Sequence, residues 1–197
     1  MSSSILINNT LAALEFTLAD RDDFFLTTSF GYQSSLLFFL FAEIGIVPKC
    51  LFIKSKLSSG GIDNQMDHLM SRYDIDLHIV DRNEWLQSQL RGKDFVDLDL
   101  DSRKNLCKNL KREPLLDFIK LYSLKIWISG IRQDQTKSRS SVKFMEVTDL
   151  SVIKISPLYA WSKDDAADLM LGNGLQLNHD YFDLCKLLDS KECGLHY

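Results

Sequence analysis

Two apolar runs flank a polar turn near the start of the chain. Residues 24–26 are short and apolar, which predicts a buried strand, and residues 36–42 are apolar enough for a buried helix. In the turn between them Gly31 has no Cβ, and Ser34 or Ser35 can cap the helix. Amide N–H groups and hydroxyls then converge at the positive end of a helix, which indicates an anion site, most naturally for phosphate. An ordinary strand-to-helix turn has the same features.

The first half of the chain alternates between helical and strand patterns. A leading helix is expected over residues 5–19, a second strand over 50–53, a helix over 62–73 and a third strand over 77–80. Strand, helix and strand in this order predict a βαβ unit and therefore an α/β fold with a parallel sheet. A right-handed crossover places the loop after Ser29 at the carboxyl edge of that sheet, where open α/β folds bind ligands.

The second half continues the alternation. Residues 94–101 are expected to form a loop and the start of a helix, and Pro114 is expected to limit how a helix crosses residues 106–116. Residues 142–147 and 152–155 predict a hairpin, and residues 162–165 resemble a capping box that opens the last helix.

A second strand end carries charge. Residues 125–129 predict a buried strand that runs into a turn containing Gly130, Arg132 and Arg139. Two guanidinium groups at this point suggest a clamp on an anion held by the first turn, because arginine binds phosphate or sulfate with two hydrogen bonds. The alternative is a surface turn with solvated charges.

Length and composition narrow the class of protein. With 197 residues, 45% hydrophobic, 25% charged and a formal charge of -4, we expect one globular domain and no nucleic-acid surface. No apolar run is long enough to span a bilayer, so we expect a cytoplasmic protein without a membrane partner. The four cysteines form no C-x-x-C pair, so neither a zinc site nor a disulfide scaffold is expected, and Cys50 and Cys107 are assigned to the core.

Five motifs in series resemble the sulfonucleotide reductases, chiefly the reductases of 3′-phosphoadenosine 5′-phosphosulfate. Together they span nearly the whole chain, in the order that the family has. They are S-F-G-Y-Q-S at 29–34, K-R-E-P-L at 111–115, W-I-S-G-I-R-Q-D-Q with S-R at 127–139, Pro157-Leu158 with Trp161, and E-C-G-L-H at 192–196.

The resemblance implies a fold and an activity. The fold is a single adenine nucleotide α-hydrolase-like (Rossmann-like) domain over residues 1–197, with a leading helix over about 1–20 and a mobile C-terminal catalytic tail over about 175–197. The activity is reduction of phosphoadenosine phosphosulfate to sulfite and adenosine 3′,5′-bisphosphate, a step of sulfate assimilation. A Cys193 S-sulfonate is the intermediate, and thioredoxin or glutaredoxin is the electron donor. A homodimer is a further expectation of the family.

The resemblance also implies site residues. Cys193 is the nucleophile, and His196 beside it favours the thiolate, so both are assigned to catalysis. No metal-binding residues are expected. The residues assigned to binding of the nucleotide and its sulfate are Ser29, Gly31, Gln33, Ser34, Lys111, Glu113, Gly130, Arg132, Gln135, Ser138 and Arg139.

Departures from the family pattern keep other interpretations open. Cluster-bearing members have a cysteine pair before the family's K-V-E-P-L motif, which is K-R-E-P-L in this chain, and a later C-x-x-C. This chain matches only Cys107, so we predict no iron–sulfur cluster and no other bound cofactor. Residues 54–61 differ from the family's nucleotide-contact segment. The alternatives are an ATP-cleaving, adenylating or sulfur-transferring enzyme of the same superfamily, and a non-catalytic nucleotide-binding paralogue. Pairing of Cys185 with Cys193 as a redox couple is a further hypothesis.

Overall fold

A mostly parallel sheet forms the centre of the molecule. The structure is a computed structural model that describes residues 3–31 and 34–187. Its strands within those residues are β1 (Phe24–Thr28), β2 (Lys49–Lys54), β3 (Ser58–Ser59), β4 (Asp76–Asp81), β5 (Ile126–Ile128), β6 (Met145–Val147), β7 (Ile153–Ile155) and β8 (Phe182–Asp183). The main sheet has the order β4-β2-β1-β5-β7-β6, in which only β6 runs antiparallel to its neighbour. The α/β class, the parallel sheet and the hairpin are therefore confirmed.

Helices cover the sheet. They are α1 (Ser3–Leu18), α2 (Ser34–Glu43), α3 (Ile62–Arg72), α4 (Asn83–Leu90), α5 (Leu100–Leu121) and α6 (Lys163–Gly172). Ser162 and Asp165 form the capping box that the sequence predicts at the start of α6. No helix within the described residues is both long enough and apolar enough to cross a membrane.

Strand β1 and helix α2 make the largest core. Leu26 of β1 and Leu36 and Leu40 of α2 are fully buried in this core, whereas Phe25 of β1 belongs to a second apolar cluster. Because α2 buries apolar residues around most of its circumference, it lies inside the protein and its first turn is fixed against the sheet.

Helix α5 corrects one prediction. The sequence suggests that Pro114 limits a helix here, yet α5 continues through it to Leu121. A proline inside a helix removes one backbone hydrogen bond and costs about 3 kcal/mol. Burial of Pro114 with Leu110, Leu115 and Phe118 offsets this cost by placing apolar surface against the sheet and the neighbouring loops.

The chain changes direction across the sheet at β1. From β1 it proceeds outward to β2 and β4, and it returns through α5 to β5 on the other side of β1. A parallel sheet with such a reversal leaves a crevice outside the carboxyl ends of the two strands that flank the reversal. In this protein those ends are the turns after β1 and β5.

Candidate functional site

A cavity of about 300 Å³ opens at the carboxyl ends of β1 and β5. Two groups of residues line it. The strand-end wall comes from the turns after β1 and β5 and consists of Thr27, Thr28, Ser29, Gly31, Ser34, Ser129, Gly130, Ile131, Gln135 and Arg139. The C-terminal wall consists of Tyr181, Asp183 and Lys186, and Lys111 of α5 lies beside it.

The turn after β1 is held by its own side chains. Thr28 Oγ1 lies 2.9 Å from Ser34 Oγ and accepts a hydrogen bond from the Phe30 amide at 3.0 Å. Phe30 has a left-handed φ of 49° and is fully buried, with its ring 5.0 Å from that of Phe52. Packing of this ring stabilises the otherwise unfavourable backbone conformation of Phe30. The positive end of α2, which begins at Ser34, lies at the cavity.

The turn after β5 uses its two arginines differently. Gln135 Oε1 accepts hydrogen bonds from the Arg132 amide, at 3.1 Å, and from the Arg139 guanidinium, and Arg139 lines the cavity. The Arg132 side chain is only 5% exposed, and its Nε donates to Asp134 at 2.8 Å. Arg132 therefore stabilises the turn, while Arg139 can contact a ligand.

The C-terminal wall is polar and partly charged. Lys111 Nζ donates to Asp183 Oδ2 at 2.8 Å, and Asp183 also accepts the Cys185 amide at 3.0 Å. Lys186 Nζ lies 3.3 Å from the Tyr181 hydroxyl and 4.6 Å from the centre of its ring. With Lys111 paired to Asp183, Lys186 leaves this part of the site with a net positive charge, and the strand-end wall offers hydroxyls and amides.

Most of the predicted binding residues in the described ranges meet at this cavity. Gln33, Cys193 and His196 lie outside the described residues. Neither Glu113 nor Ser138 lines the cavity. Glu113 accepts a hydrogen bond from Arg82 at 2.6 Å, and the Ser138 hydroxyl lies 3.0 Å from that of Thr136. Those that line the cavity are Ser29, Gly31, Ser34, Lys111, Gly130, Gln135 and Arg139.

The sequence interpretation misses the C-terminal wall. It predicts a mobile tail from about residue 175 onward, whereas Leu175 is buried and Asn178 donates hydrogen bonds to the Phe30 and Gly60 carbonyls at 3.1 Å. Strand β8 pairs with β3, which brings Asp183 opposite Ser58. No local motif marks Asp183, because its partners are distant in sequence.

Two cysteines also correct the sequence interpretation. Cys107 is buried in the core, as the sequence predicts, but it also forms a disulfide with Cys185, with their Cα atoms 5.7 Å apart. The sequence predicts no disulfide framework, and its hypothesis for Cys185 is a redox couple with Cys193. The reason is tertiary: α5 and the segment after β8 are neighbours in space but 78 residues apart in sequence. Burial raises the pKa of the Cys50 thiol, which makes Cys50 a poor nucleophile.

These cysteines do not fit an iron–sulfur cluster. A cubane cluster needs thiolates that converge on one point. Cys107 and Cys185 are bonded to each other, and Cys50 is enclosed in β2. Across residues 3–31 and 34–187 no three side chains of His, Cys, Asp or Glu are grouped to hold a metal ion.

The sequence is similar to a known family of proteins. Residues 23–186 match the phosphoadenosine phosphosulfate reductase domain. Among curated relatives, the phosphoadenosine 5′-phosphosulfate reductase of Buchnera aphidicola is 24% identical over 164 residues, which are 80% of this chain and 65% of that protein. The adenosine 5′-phosphosulfate reductase of Bacillus cereus is 25% identical over 193 residues, covering 86% and 82% of the two chains. This chain thus spans just under two thirds of the length of the first of these relatives.

A solved structure shows the same fold. The phosphoadenylyl-sulfate reductase from Candida auris, crystallised as a phosphate complex, superimposes with a TM-score of 0.71 at 18% identity, over 89% of this chain and 87% of that one. The fold is thus the mostly parallel, adenine nucleotide α-hydrolase-like fold that the sequence suggested. Because the family domain extends over most of the chain and includes both walls of the cavity, this protein belongs to the phosphoadenosine phosphosulfate reductase domain family.

Proposed function

We propose that the chain is a thiol-dependent sulfonucleotide reductase whose substrate is 3′-phosphoadenosine 5′-phosphosulfate. The observation that supports this best is a cavity, inside the family domain, with an excess of cationic side chains. Lys111, Arg139 and Lys186 line it together with one carboxylate, that of Asp183, which pairs with Lys111. A phosphosulfate group carries several negative charges, which lysine and arginine neutralise through charge-assisted hydrogen bonds. The first turn of α2 adds backbone dipoles of the same sign.

The proposed reaction is a substitution at sulfur. The Cys193 thiolate attacks the sulfur of the bound phosphosulfate, the sulfur–oxygen bond to the phosphate breaks, and adenosine 3′,5′-bisphosphate leaves with the electron pair. The cysteine retains an S-sulfonate. Lys111 and Arg139 stabilise the charge on the leaving phosphate, and His196, three residues after the nucleophile in sequence, favours the thiolate.

A dithiol protein completes the proposed cycle. A thiolate of thioredoxin or glutaredoxin attacks the Cys193 sulfur, releases sulfite and forms a mixed disulfide. The second thiol of the donor resolves that disulfide, so two electrons pass from the donor and Cys193 returns to the thiol.

The proposed choice of substrate rests on the cysteines. The relatives include reductases named for both the phosphoadenosine and the adenosine sulfonucleotide. The sequence resemblance links the first substrate to members without an iron–sulfur cluster, and the described cysteines do not fit such a cluster. We therefore assign the phosphoadenosine form.

The test is the intact mass of the reduced protein after incubation with phosphoadenosine phosphosulfate, followed by peptide mapping. We expect an S-sulfonate on Cys193 that thioredoxin removes with release of sulfite. Cys193→Ser should abolish the adduct and retain nucleotide binding. Cys50→Ala is the matched control and should keep the adduct, because the Cys50 thiol is buried in β2.

Other outcomes contradict the proposal in distinct ways. Nucleotide binding without an adduct would identify a non-catalytic binding protein. Release of pyrophosphate from ATP with Mg²⁺, unaffected by Cys193→Ser, would identify an ATP-cleaving relative.

A further inference from the structure

The disulfide between Cys107 and Cys185 lies next to the cavity. Both residues are buried, 3% and 2% exposed, in an apolar cluster with Leu57, Leu86 and Leu110. We propose that Cys107 and Cys185 form a redox-responsive tether, through which a dithiol reductant weakens anion binding in the cavity by releasing the C-terminal wall. This inference rests on the proposed function in so far as it takes the cavity to be a nucleotide site.

The tether joins the two elements that carry the cations. Cys107 lies one helical turn before Lys111, on the same face of α5. Cys185 lies between Asp183 and Lys186 of the C-terminal wall. The disulfide and the ion pair between Lys111 and Asp183 are therefore two adjacent links between the same helix and the same segment.

Besides the tether and the ion pair, the C-terminal wall is held by a short ladder, by packing of Leu184 and by turn contacts. Its ladder with β3 has only two residue pairs, and such short ladders are marginal in water. One further backbone bond joins the Leu184 amide to the Leu57 carbonyl at 2.8 Å, and Asn178 holds the preceding turn. Without the covalent bond, we expect the segment around Asp183 to open more often, and Lys186 to leave the cavity when it does.

The chemistry is thiol–disulfide exchange. A thiolate of the reductant attacks one sulfur of the tether, the Cys107–Cys185 bond breaks, and the second thiol of the reductant closes its own disulfide. Two electrons and two protons pass to the protein, which gains two thiols. If the chain uses thioredoxin as we propose, the same reductant meets this disulfide. Disulfides that occur in reducing compartments are usually transient or redox-sensing.

Burial of the two cysteines couples reduction of the disulfide to opening of the C-terminal wall. Because both cysteines are almost inaccessible, a reductant reaches them only when the C-terminal wall opens. An anion that contacts Lys111 and Lys186 holds the wall closed, so it should slow reduction. By thermodynamic linkage, the factor by which reduction weakens binding of the anion is also the factor by which the bound anion lowers the equilibrium constant for reduction of the disulfide.

The experiment uses the full chain purified without reductant, with adenosine 3′,5′-bisphosphate as the probe. Calorimetry before and after phosphine reduction should show binding that is about tenfold weaker in the reduced protein. Cys185→Ser and Cys107→Ser should bind as the reduced protein does, with no response to the phosphine. Cys50→Ala is the matched control and should keep the full response. Saturating nucleotide should also slow the appearance of thiols at residues 107 and 185.

Hydrogen exchange separates the tether from the proposed function. Reduction should increase exchange of residues 181–187 while leaving β1 and α2 protected. Equal affinity in both redox states, or unchanged exchange of this segment, would overturn the tether and leave a nucleotide site intact. Absence of binding in both states would contradict the proposed function as well. Far-UV circular dichroism of the reduced wild type distinguishes release of the wall from global unfolding.

Discussion

The strand-end wall and the C-terminal wall of the cavity are held by different kinds of contact. In the strand-end wall, Thr28 contacts Ser34 six residues away, and Arg139 donates to Gln135 four residues away. In the C-terminal wall, the ion pair between Lys111 and Asp183 joins residues 72 apart. Local contacts form with the strand and helix that carry them, whereas distant contacts require the finished fold. We therefore expect the C-terminal wall to be the part that can be displaced alone.

The largest effect on the C-terminal wall is expected from a substitution at Gly60. A Cβ at this position would collide with the Asp180 carbonyl oxygen, and the φ of Gly60 is +82°. Gly60→Ala must therefore push the backbone before Asp183 away from β3. We expect a loss of about 3 kcal/mol in the free energy of unfolding, from backbone strain and overpacking together, measured by urea denaturation. Nucleotide affinity should fall as well.

Gly92→Ala is the matched control. Gly92 has the same φ of +82°, but no atom lies within 4 Å of the position that a Cβ would take there. This variant should lose only the strain of about 1 kcal/mol and keep its affinity for the nucleotide. Equal losses in the two variants would mean that the contact between Gly60 and Asp180 does not hold the C-terminal wall.

The strand-end wall is predictable because its signals are local. Residues 24–26 and 36–42 differ so clearly in pattern from the turn between them that strand, turn and helix follow from the sequence. The same holds for the turn that carries Arg139. The pattern leaves the direction of each side chain undecided, since Arg132 and Arg139 look alike in the sequence and only the structure shows which one faces Asp134.

The C-terminal wall is not predictable for the opposite reason. Asp183 and Lys186 belong to a short, irregular segment whose polarity is typical of a surface loop. The available signal is the number of cysteines: with Cys50 in a strand and Cys193 in the E-C-G-L-H motif, Cys107 and Cys185 remain as a pair. Spacing alone does not reveal that such cysteines meet.

A pair of arginine variants tests the strand-end wall at an intermediate magnitude. Arg139→Ala should weaken binding of adenosine 3′,5′-bisphosphate by about 2 kcal/mol, measured by calorimetry, because it removes a charge-assisted hydrogen bond to the ligand. Its melting temperature should change little. Arg132→Ala should do the reverse: it removes the ion pair with Asp134 and loosens the turn, so the melting temperature falls more than the affinity. Similar effects of the two variants on affinity would contradict the division of roles between them.

The smallest effect is expected at the capping box of α6, which supports the strand-end wall from outside the cavity. The Ser162 hydroxyl accepts the Asp165 amide at 3.0 Å, and the next residue, Lys163, donates its amide to Asp134. Ser162→Ala should cost about 1 kcal/mol of unfolding free energy, and Ser162→Thr, which retains a hydroxyl, should cost less. Nucleotide affinity should be unchanged, because α6 does not line the cavity.

The pH dependence of that cost identifies its cause. Hydrogen bonds from the Ser162 side chain and backbone lower the pKa of Asp165. A carboxylate whose pKa is lower in the folded than in the unfolded state stabilises the fold above the unfolded value of about 3.9, and this stabilisation is lost as the pH falls through the folded value. The difference between wild type and Ser162→Ala in urea denaturation should therefore narrow below about pH 4. If the difference in unfolding free energy between the two proteins stayed constant below about pH 4, the cost of Ser162→Ala would come from loss of the serine cap alone. The Asp165 carboxylate would then not contribute to the stability of the turn at Asp134.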